Sequence, residues 1–319
     1  MKVDVLCVGL IRGESLYTTK TFDPSLLPQR IRGMMQSRVS TRAQDIVFGC
    51  GGGGYIAALA LGRLGFKVAL SARVGHDSIG CEAVRKLAAE KVNTTLVMQT
   101  PQAATSLTTL IRSPQDDSFE ISYIPPGGID KKSLGRQAKV AADWLYVSGP
   151  FADIGELKVL LAQAKKQGMQ SMVRLTQSDI VQARRVVRIA SNATVSIFER
   201  EDAELLTHQT DIDASLFALR ESGLKTVIVQ DDVVSIHAIH DGFLYRTRGG
   251  RKTTVVNATG ITEVTGPSIL AHLIHHGDFG AALDFGLVAA RSVAGYIGSE
   301  AGLLSGFAHR TGKVDKKFL

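Results

Sequence analysis

The sequence feature that most restricts the possible folds lies between Trp144 and the end of the chain. Short apolar segments alternate there regularly with helical segments. Alternating strands and helices predict a parallel sheet whose strands are joined by right-handed crossovers. The predicted strands are 145–147, 171–173, 194–197 and 226–229, and the predicted helices are 155–167, 178–190, 200–207 and 214–222. A strand pair near 234–256 and two closing helices complete this half.

The first half of the chain continues the pattern, with two interruptions. A strand over Val3–Leu10, a buried helix over Tyr55–Leu64, a strand at 68–70 and an amphipathic helix over Ile79–Val92 fit the same sheet. Two strand-rich segments do not fit it, and they predict a small antiparallel flap over one end. We therefore predict one α/β domain over residues 1–319, with a β lid inserted at 12–45 and 98–125.

Composition agrees with this fold and limits the class of partner. The 319 residues are 45% hydrophobic and only 6% aromatic, which suits a sheet covered by helices on both faces. The net charge is +7, but the basic residues are scattered in ones and twos without interleaved aromatics, so we predict no nucleic-acid partner. A solvated basic surface that attracts phosphorylated ligands is the simpler interpretation.

Cysteine content and hydropathy indicate a reducing, aqueous environment. Cys7, Cys50 and Cys81 are odd in number and far apart, so neither a disulfide framework nor a zinc site is predicted. No apolar run approaches the roughly 18 residues that a membrane span requires. We predict a cytoplasmic protein with no membrane partner.

A run of glycines before the first long helix allows two interpretations. Gly49, Gly51 and Gly54 satisfy the G-x-G-x-x-G dinucleotide fingerprint, and Arg73 after the next strand would suit the 2′-phosphate of NADP. That fingerprint normally opens the first β-α unit of its domain, whereas a strand and a long polar segment come first here. An NADP-binding protein is therefore one alternative.

The second interpretation comes from the surroundings of the glycines. A Gly-Gly pair leads into an Ala-rich helix that ends Arg63-Leu64-Gly65, and a strand then leads into Val74-Gly-His-Asp-Ser-Ile-Gly80. Gly149 after a strand, a Glu-Leu-Leu-Thr run ending at Thr207, and a Thr265-Gly266 turn before a C-terminal helix follow. This succession resembles the PfkB family of sugar and nucleoside kinases over nearly the whole chain.

The resemblance implies a three-layer αβα, ribokinase-like sandwich with a mostly parallel sheet, and phosphoryl transfer from ATP to a hydroxymethyl group. In that family a Gly-Ala-Gly-Asp turn supplies backbone N–H groups to the phosphoryl charge, and its Asp accepts the hydroxyl proton. Matching that turn to Thr265-Gly266-Pro267-Ser268-Ile269 puts Ile269 in place of the base and Pro267 in place of one N–H donor. On this match the catalytic chemistry is lost.

Other positions implied by the resemblance have also changed. The nucleotide loop after Val229 reads Gln230-Asp231-Asp232, whose carboxylates would repel ATP phosphates. A weak cation site remains at Glu199 and Asp202, and Arg174 replaces an Asp. The substrate side corresponds to Glu14, Gly51, Gly52 and Ile56.

Three functions therefore stay open. The first is a catalytically impaired PfkB homologue that retains binding of a small polyol or nucleoside, with no certain cofactor. The second is an active ATP- and Mg²⁺-dependent sugar or nucleoside kinase with a relocated base, for which His272, followed by His275 and His276, and Glu263 are candidates. The third is the NADP-binding protein. Asp77 is expected to cap a helix rather than to contact ligand, and the family's lid contacts predict a homodimer.

Overall fold

The structure is a computed structural model that describes residues 1–19, 43–112, 118–125, 136–137, 139–151, 153–181, 183–248, 254–307 and 312–319. Its strands are β1 (Lys2–Gly9), β2 (Arg12–Thr19), β3 (Ala43–Gly51), β4 (Val68–Gly75), β5 (Val97–Thr100), β6 (Ser106–Arg112), β7 (Ser118–Tyr123), β8 (Ala141–Ser148), β9 (Gln170–Arg174), β10 (Val195–Glu199), β11 (Thr226–Asp231), β12 (Ser235–His240), β13 (Phe243–Arg248) and β14 (Lys313–Phe318). Its helices are α1 (Gly53–Arg63), α2 (Ser78–Ala89), α3 (Ile154–Lys166), α4 (Gln177–Ile180), α5 (Ala183–Ala190), α6 (Arg200–Thr207), α7 (Ile212–Glu221), α8 (Ile261–His276) and α9 (Phe279–Ala294).

A ten-stranded sheet forms the centre of the molecule, in the order β14-β13-β12-β11-β10-β9-β8-β1-β4-β5. The strands from β11 to β5 run parallel, and β12, β13 and β14 continue the sheet antiparallel. Strand β1 is an inner strand between β8 and β4, with Cys7 opposite both Leu70 and Tyr146. The predicted mostly parallel sheet is confirmed.

Each face of this sheet is covered by helices, because alternate side chains of its strands point to opposite sides. In β1, Val5 and Cys7 join the cluster under α1, α2, α8 and α9. Leu6 and Val8 join the cluster under α3, α5, α6 and α7. The result is the predicted three-layer αβα sandwich.

The lid is a separate four-stranded sheet in the order β3-β2-β6-β7. Its outer pairs are antiparallel, as predicted, but β2 and β6 pair parallel. The lid boundaries also differ from the prediction, because β3 continues to Gly51 and β5 pairs with β4 in the large sheet. Residues 20–42 and 113–117 of the predicted insertions lie outside the described residues.

Two further predictions about secondary structure were wrong. The helix expected over 178–190 is interrupted at Val181, so it forms the separate helices α4 and α5. The two closing helices are followed by β14, whose Lys-rich alternation was not recognised as a strand.

The cap of α2 is confirmed, since the Asp77 carboxylate accepts the N–H of Gly80 at 2.8 Å. Among the described residues, no helix is long and apolar enough to cross a membrane.

Candidate active site

The start of α8 lies where the carboxyl ends of β9 and β10 meet the lid. Gly260 is the N-cap of this helix, with φ of 90°, and a Cβ there would lie 2.8 Å from the Cα of Ser299. The position therefore requires glycine both for its backbone conformation and for space. Glu263 follows in the first helical turn, so the chain presents a glycine, the N–H groups of a first helical turn and a carboxylate at a helix N-terminus.

This arrangement corrects the predicted position of the catalytic turn. Thr265, Gly266, Pro267, Ser268 and Ile269 do not open the helix, because they lie one turn or more inside α8 and are all buried. Ile269 packs in the core, and the assignment of the base position to it loses its structural basis.

Gly266 is a packing glycine rather than a turn glycine. A Cβ there would lie 2.6 Å from the hydroxyl of Tyr146 and 3.0 Å from Ile197. Reasoning from sequence missed Gly260, although the signal was present: a glycine with an acidic residue three positions later, at the start of an apolar helix.

Glu263, one of the two substitute bases suggested by the sequence, lies between two arginines. Nη2 of Arg12 is 3.4 Å from its Oε1, and the hydroxyl of Thr262 donates to its Oε2 at 3.3 Å. Burial raises the pKa of the Glu263 carboxyl, but Arg174 and Arg12 outweigh burial and hold that pKa below its ordinary value. Glu263 is therefore a carboxylate at neutral pH and can accept a proton.

His272, the other suggested base, is not part of this site. It lies nine residues further along α8, which is about 13 Å of helix, and it packs against His276, Phe285 and Phe307. Burial, with His276, lowers its pKa.

Arg174 closes the site from the end of β9. Its Nη2 donates to the hydroxyl of Thr262 at 2.7 Å and to Glu199 at the end of β10. Burial lowers the pKa of Arg174, but Glu263 and Glu199 outweigh it, so the guanidinium stays charged. The site holds a fixed cation next to the first turn of α8, where the N–H groups already favour an anion.

Glu14 lies beside Gly51 and is almost completely buried, with 2% of its surface exposed. The hydroxyl of Ser299 contacts both carboxylate oxygens, at 2.9 and 2.7 Å, and Nε of Arg12 donates to Oε1 at 3.2 Å. Burial raises the pKa of Glu14 against the effect of Arg12. A Cβ on Gly51 would lie 1.9 Å from Oε1, so Glu14 fills the space that we expected a ligand to use.

The remaining residues of the predicted substrate side serve packing. Gly52 has φ of 96°, and a Cβ there would lie 2.6 Å from the carbonyl oxygen of Leu10. Ile56 is fully buried in the core. The dinucleotide fingerprint also lacks its context, because β3 pairs antiparallel with β2 in the lid instead of lying in a parallel βαβ unit. The NADP-binding prediction is not supported.

Two cavities meet at Arg12 and Glu120. The first, of about 420 Å³, contains the start of α8; it is lined by these two residues together with Leu110, Arg174, Glu199, Val255, Asn257, Ala258, Thr259, Gly260, Thr262 and Glu263. The second, of about 280 Å³, lies under the lid and is rich in hydroxyl groups, including those of Ser106, Thr108, Ser122, Thr176 and Ser178. Together they provide a hydroxyl-lined chamber that leads to a carboxylate, an arginine and a helix N-terminus.

The predicted nucleotide loop is built without glycine. Asp232 has φ of 47°, a conformation that favours glycine, and its carbonyl accepts a 2.9 Å hydrogen bond from the side chain of Gln230. Burial and then Asp231 raise the pKa of Asp232. Nε of Arg291 donates to the carbonyl of Val233 at 2.9 Å, so polar side chains hold the loop in place.

The predicted cation ligands do not fit a dedicated magnesium site. Glu199 is paired with Arg174, and burial followed by Glu199 raises the pKa of Asp202 to about 7. Arg200 adds a positive charge and pairs with Glu204 and Asp231. Across the part of the chain that the structure describes, no group of three acidic, His or Cys side chains is placed to hold a metal ion.

Comparisons with known proteins show the family of the chain and its fold. Residues 19–305 match the family described as pfkB family carbohydrate kinase. No curated protein matches the sequence. The fold is similar to adenosine kinase from Sinorhizobium meliloti, with a TM-score of 0.77 and 18% identity over 94% of this chain and 96% of that one.

Two further solved structures show the same fold. Ribokinase from Thermotoga maritima has a TM-score of 0.74 and 14% identity over 94% of this chain and 95% of that one. A nucleoside kinase from Methanocaldococcus jannaschii has a TM-score of 0.71 and 13% identity over 94% of each chain.

Proposed function

Because the chain belongs to the pfkB family of carbohydrate kinases, we propose that it is an ATP-dependent kinase acting on an alcohol group of a small sugar or nucleoside. The observation that carries this proposal is the start of α8, where Gly260 and Glu263 lie at the wall of one cavity. The segment Gly260-Ile261-Thr262-Glu263 corresponds to the family's Gly-Ala-Gly-Asp turn. It keeps the first glycine and the final carboxylate.

The proposed reaction uses these groups in a single displacement. Glu263 accepts the proton of the acceptor hydroxyl, the hydroxyl oxygen forms a bond to the γ-phosphorus of ATP, and the bond from that phosphorus to the β-phosphate oxygen breaks to release ADP. The N–H groups at the start of α8 and the Arg174 guanidinium stabilise the phosphoryl charge. Such a transition state demands little of the base, so the lowered pKa of Glu263 is compatible with its role.

The test measures ADP formation from Mg-ATP with a panel of sugars and nucleosides. Glu263→Gln should lower kcat by about 10²–10⁴-fold, the usual contribution of a general base, and should leave ATP binding intact. Glu82→Gln is the matched control, because Glu82 is an exposed carboxylate on α2 whose hydrogen-bond partner is Arg85. Equal activity of the two variants would contradict the role proposed for Glu263.

The alternative is a catalytically impaired homologue that binds a small ligand. The nucleotide loop favours it, since Asp231 and Asp232 add negative charge where ATP phosphates would approach. Binding of a sugar or nucleoside, seen as a raised melting temperature without any response to Mg-ATP, would support this alternative. A response to both ligands, with turnover, would support the kinase.

We also propose that the lid forms a homodimer. Residues paired across strands share one face of a sheet, so the lid face opposite the cavities carries Tyr17, Ile46, Ile111 and Ile121. Ile121 is 56% exposed and Ile46 is 40% exposed. A second copy of the same face would bury these side chains. Sedimentation of wild type and Ile121→Asp tests this; a monomeric wild type would contradict it. The cytoplasmic location predicted from the sequence stays a prediction.

A further inference from the structure

A third cavity, of about 390 Å³, lies between the lid strand β3, the ends of α1 and α2, and residues 297–302. It shares no lining residue with the two cavities of the active site. Ser299 and Glu300 line it, and Ser299 also holds Glu14. The cavity is thus separate from the active site and adjacent to it.

The walls of this cavity combine two cations with two exposed apolar side chains. Arg63 and Lys86 line it on the side of α1 and α2. Phe48 is 72% exposed and Ile297 is 40% exposed at the lid and the 297–302 segment. A solvent-exposed aromatic ring beside an arginine and a lysine suits a ligand with an apolar body and a negative charge.

Glu300, the acidic side chain among the described residues that line this cavity, is paired within the protein. The carboxylate of Glu300 accepts the N–H of Cys50 at 3.0 Å, the hydroxyl of Tyr55 at 3.0 Å and the ammonium of Lys86 at 2.9 and 2.8 Å. Nη1 of Arg63 donates to the carbonyl of Glu300 at 3.4 Å and Nε to Glu90, while Nη2 has no hydrogen-bond partner among the described residues.

The 297–302 segment adds further donors. None of its backbone N–H groups has an acceptor among the described residues. Gly298 and Gly302 adopt φ of 95° and 78°, so the loop bends at two positions four residues apart. Backbone N–H groups without an internal acceptor are able to donate to an anion. The cavity therefore offers hydrogen-bond donors from its backbone and from Arg63 and Lys86, two cations that also pair with Glu90 and Glu300.

We propose that this cavity is a second binding site, specific for a small organic anion whose acidic group is attached to an aromatic or aliphatic body. The acidic group lies against Arg63, Lys86 and the N–H groups of 297–302, and the apolar body packs on Phe48 and Ile297. A ligand there contacts the same segment whose Ser299 holds Glu14. The site exists whether or not the proposed kinase activity does.

The test uses 8-anilinonaphthalene-1-sulfonate, an aromatic sulfonate, in a fluorescence titration of the full chain. We expect saturable binding at one site, weakened about tenfold by Arg63→Gln, the effect of one charge-assisted hydrogen bond. Phe48→Ala should weaken binding about fivefold through lost apolar contact, and its exposed position should leave the fold intact. Val181→Ala is the control, because it removes an apolar side chain that is 83% exposed and does not line this cavity.

Amide hydrogen exchange provides a second measurement that does not depend on activity. The probe should slow exchange in residues 297–302 and in β2, which contains Glu14, and should leave β14 unchanged. The proposal is overturned by non-saturable binding, by equal affinities of wild type, Arg63→Gln and Phe48→Ala, or by protection confined to other segments. Loss of kinase activity in every preparation would contradict the proposed function and leave this result standing.

Discussion

Replacing Gly51 by alanine should destabilise the fold, whereas the same change at Gly49 should not. The two glycines are separated by one residue in β3, so they point to the same face of the lid. A Cβ at Gly51 would lie 1.9 Å from Oε1 and 2.4 Å from the carboxyl carbon of Glu14, while a Cβ at Gly49 has no atom within 4 Å. The pair isolates the effect of the buried carboxylate from the general effect of alanine in a strand.

The expected magnitudes follow from these contacts. Overpacking costs about 1–3 kcal/mol, and losing one hydrogen bond of a charged group adds about 1.5–3 kcal/mol when Glu14 is pushed away from Ser299. In the opposite direction, alanine inside a strand stabilises the folded state by about 0.5–1 kcal/mol relative to glycine. We expect Gly51→Ala to lower the free energy of unfolding by about 2–5 kcal/mol, and Gly49→Ala to be neutral or stabilising by up to about 1 kcal/mol.

The assay is urea unfolding of both variants, followed by far-UV circular dichroism and by tryptophan fluorescence at Trp144. Repeating Gly51→Ala in the Glu14→Ala background completes a double-mutant cycle, in which the cost of the alanine should shrink because the clashing carboxylate is absent. Equal unfolding midpoints for Gly49→Ala and Gly51→Ala, or a cost unchanged by Glu14→Ala, would refute the contact between Glu14 and Gly51.

Three further predictions concern other described contacts. Ser299→Ala removes the hydroxyl bonded to Glu14 and should cost about 1–3 kcal/mol in urea unfolding, since the buried carboxylate loses a donor; no change would contradict that hydrogen bond. Asp77→Ala removes the cap of α2 and should cost about 1 kcal/mol, and an unchanged melting temperature would contradict the cap. Burial raises the pKa of Asp202 to about 7, so Asp202 keeps its proton in the folded chain at pH values above about 4, where it loses that proton in the unfolded chain. The free energy of unfolding therefore falls as the pH rises from about 4 to about 7. Asp202→Asn should flatten this fall in melts across the range, and parallel curves would contradict the shifted pKa.

Much of the fold could be predicted from sequence because it depends on local patterns. Short apolar runs, as at Leu145–Val147, predict the alternating strands and helices. Each run predicts its own element without information about the elements that pack against it. The cap at Asp77 is similarly local, because it needs only the residues that follow it. Helix breaks such as that at Val181 carry weaker signals, since no Pro or Gly marks them.

The register of the catalytic segment could not be decided by the same means. The chain contains two Thr-Gly pairs six residues apart, Thr259-Gly260 and Thr265-Gly266, and either could open the helix. The structure separates them by physical cause: Gly260 has a positive φ that only glycine tolerates well, whereas Gly266 has an ordinary helical backbone and makes room for Tyr146. Sequence shows a glycine but not the reason for it.

The residues that contact Glu14 could not be predicted from the sequence either. Ser299 lies 285 residues away along the chain, and the contact arises only when the lid and the end of α9 are brought together. A pattern of residue types carries no information on such a pair. The substrate space beside Gly51 therefore looked open, although it is filled.

The contact between Glu14, Gly51 and Ser299 also restricts how this protein can diverge. Any side chain at position 51 collides with a glutamate at position 14, so a lineage that replaces Gly51 must first shorten residue 14. Shortening residue 14 in turn leaves the Ser299 hydroxyl without its acceptor, which relaxes selection on that serine. Among descendants of this sequence, the three positions should therefore change together and in that order.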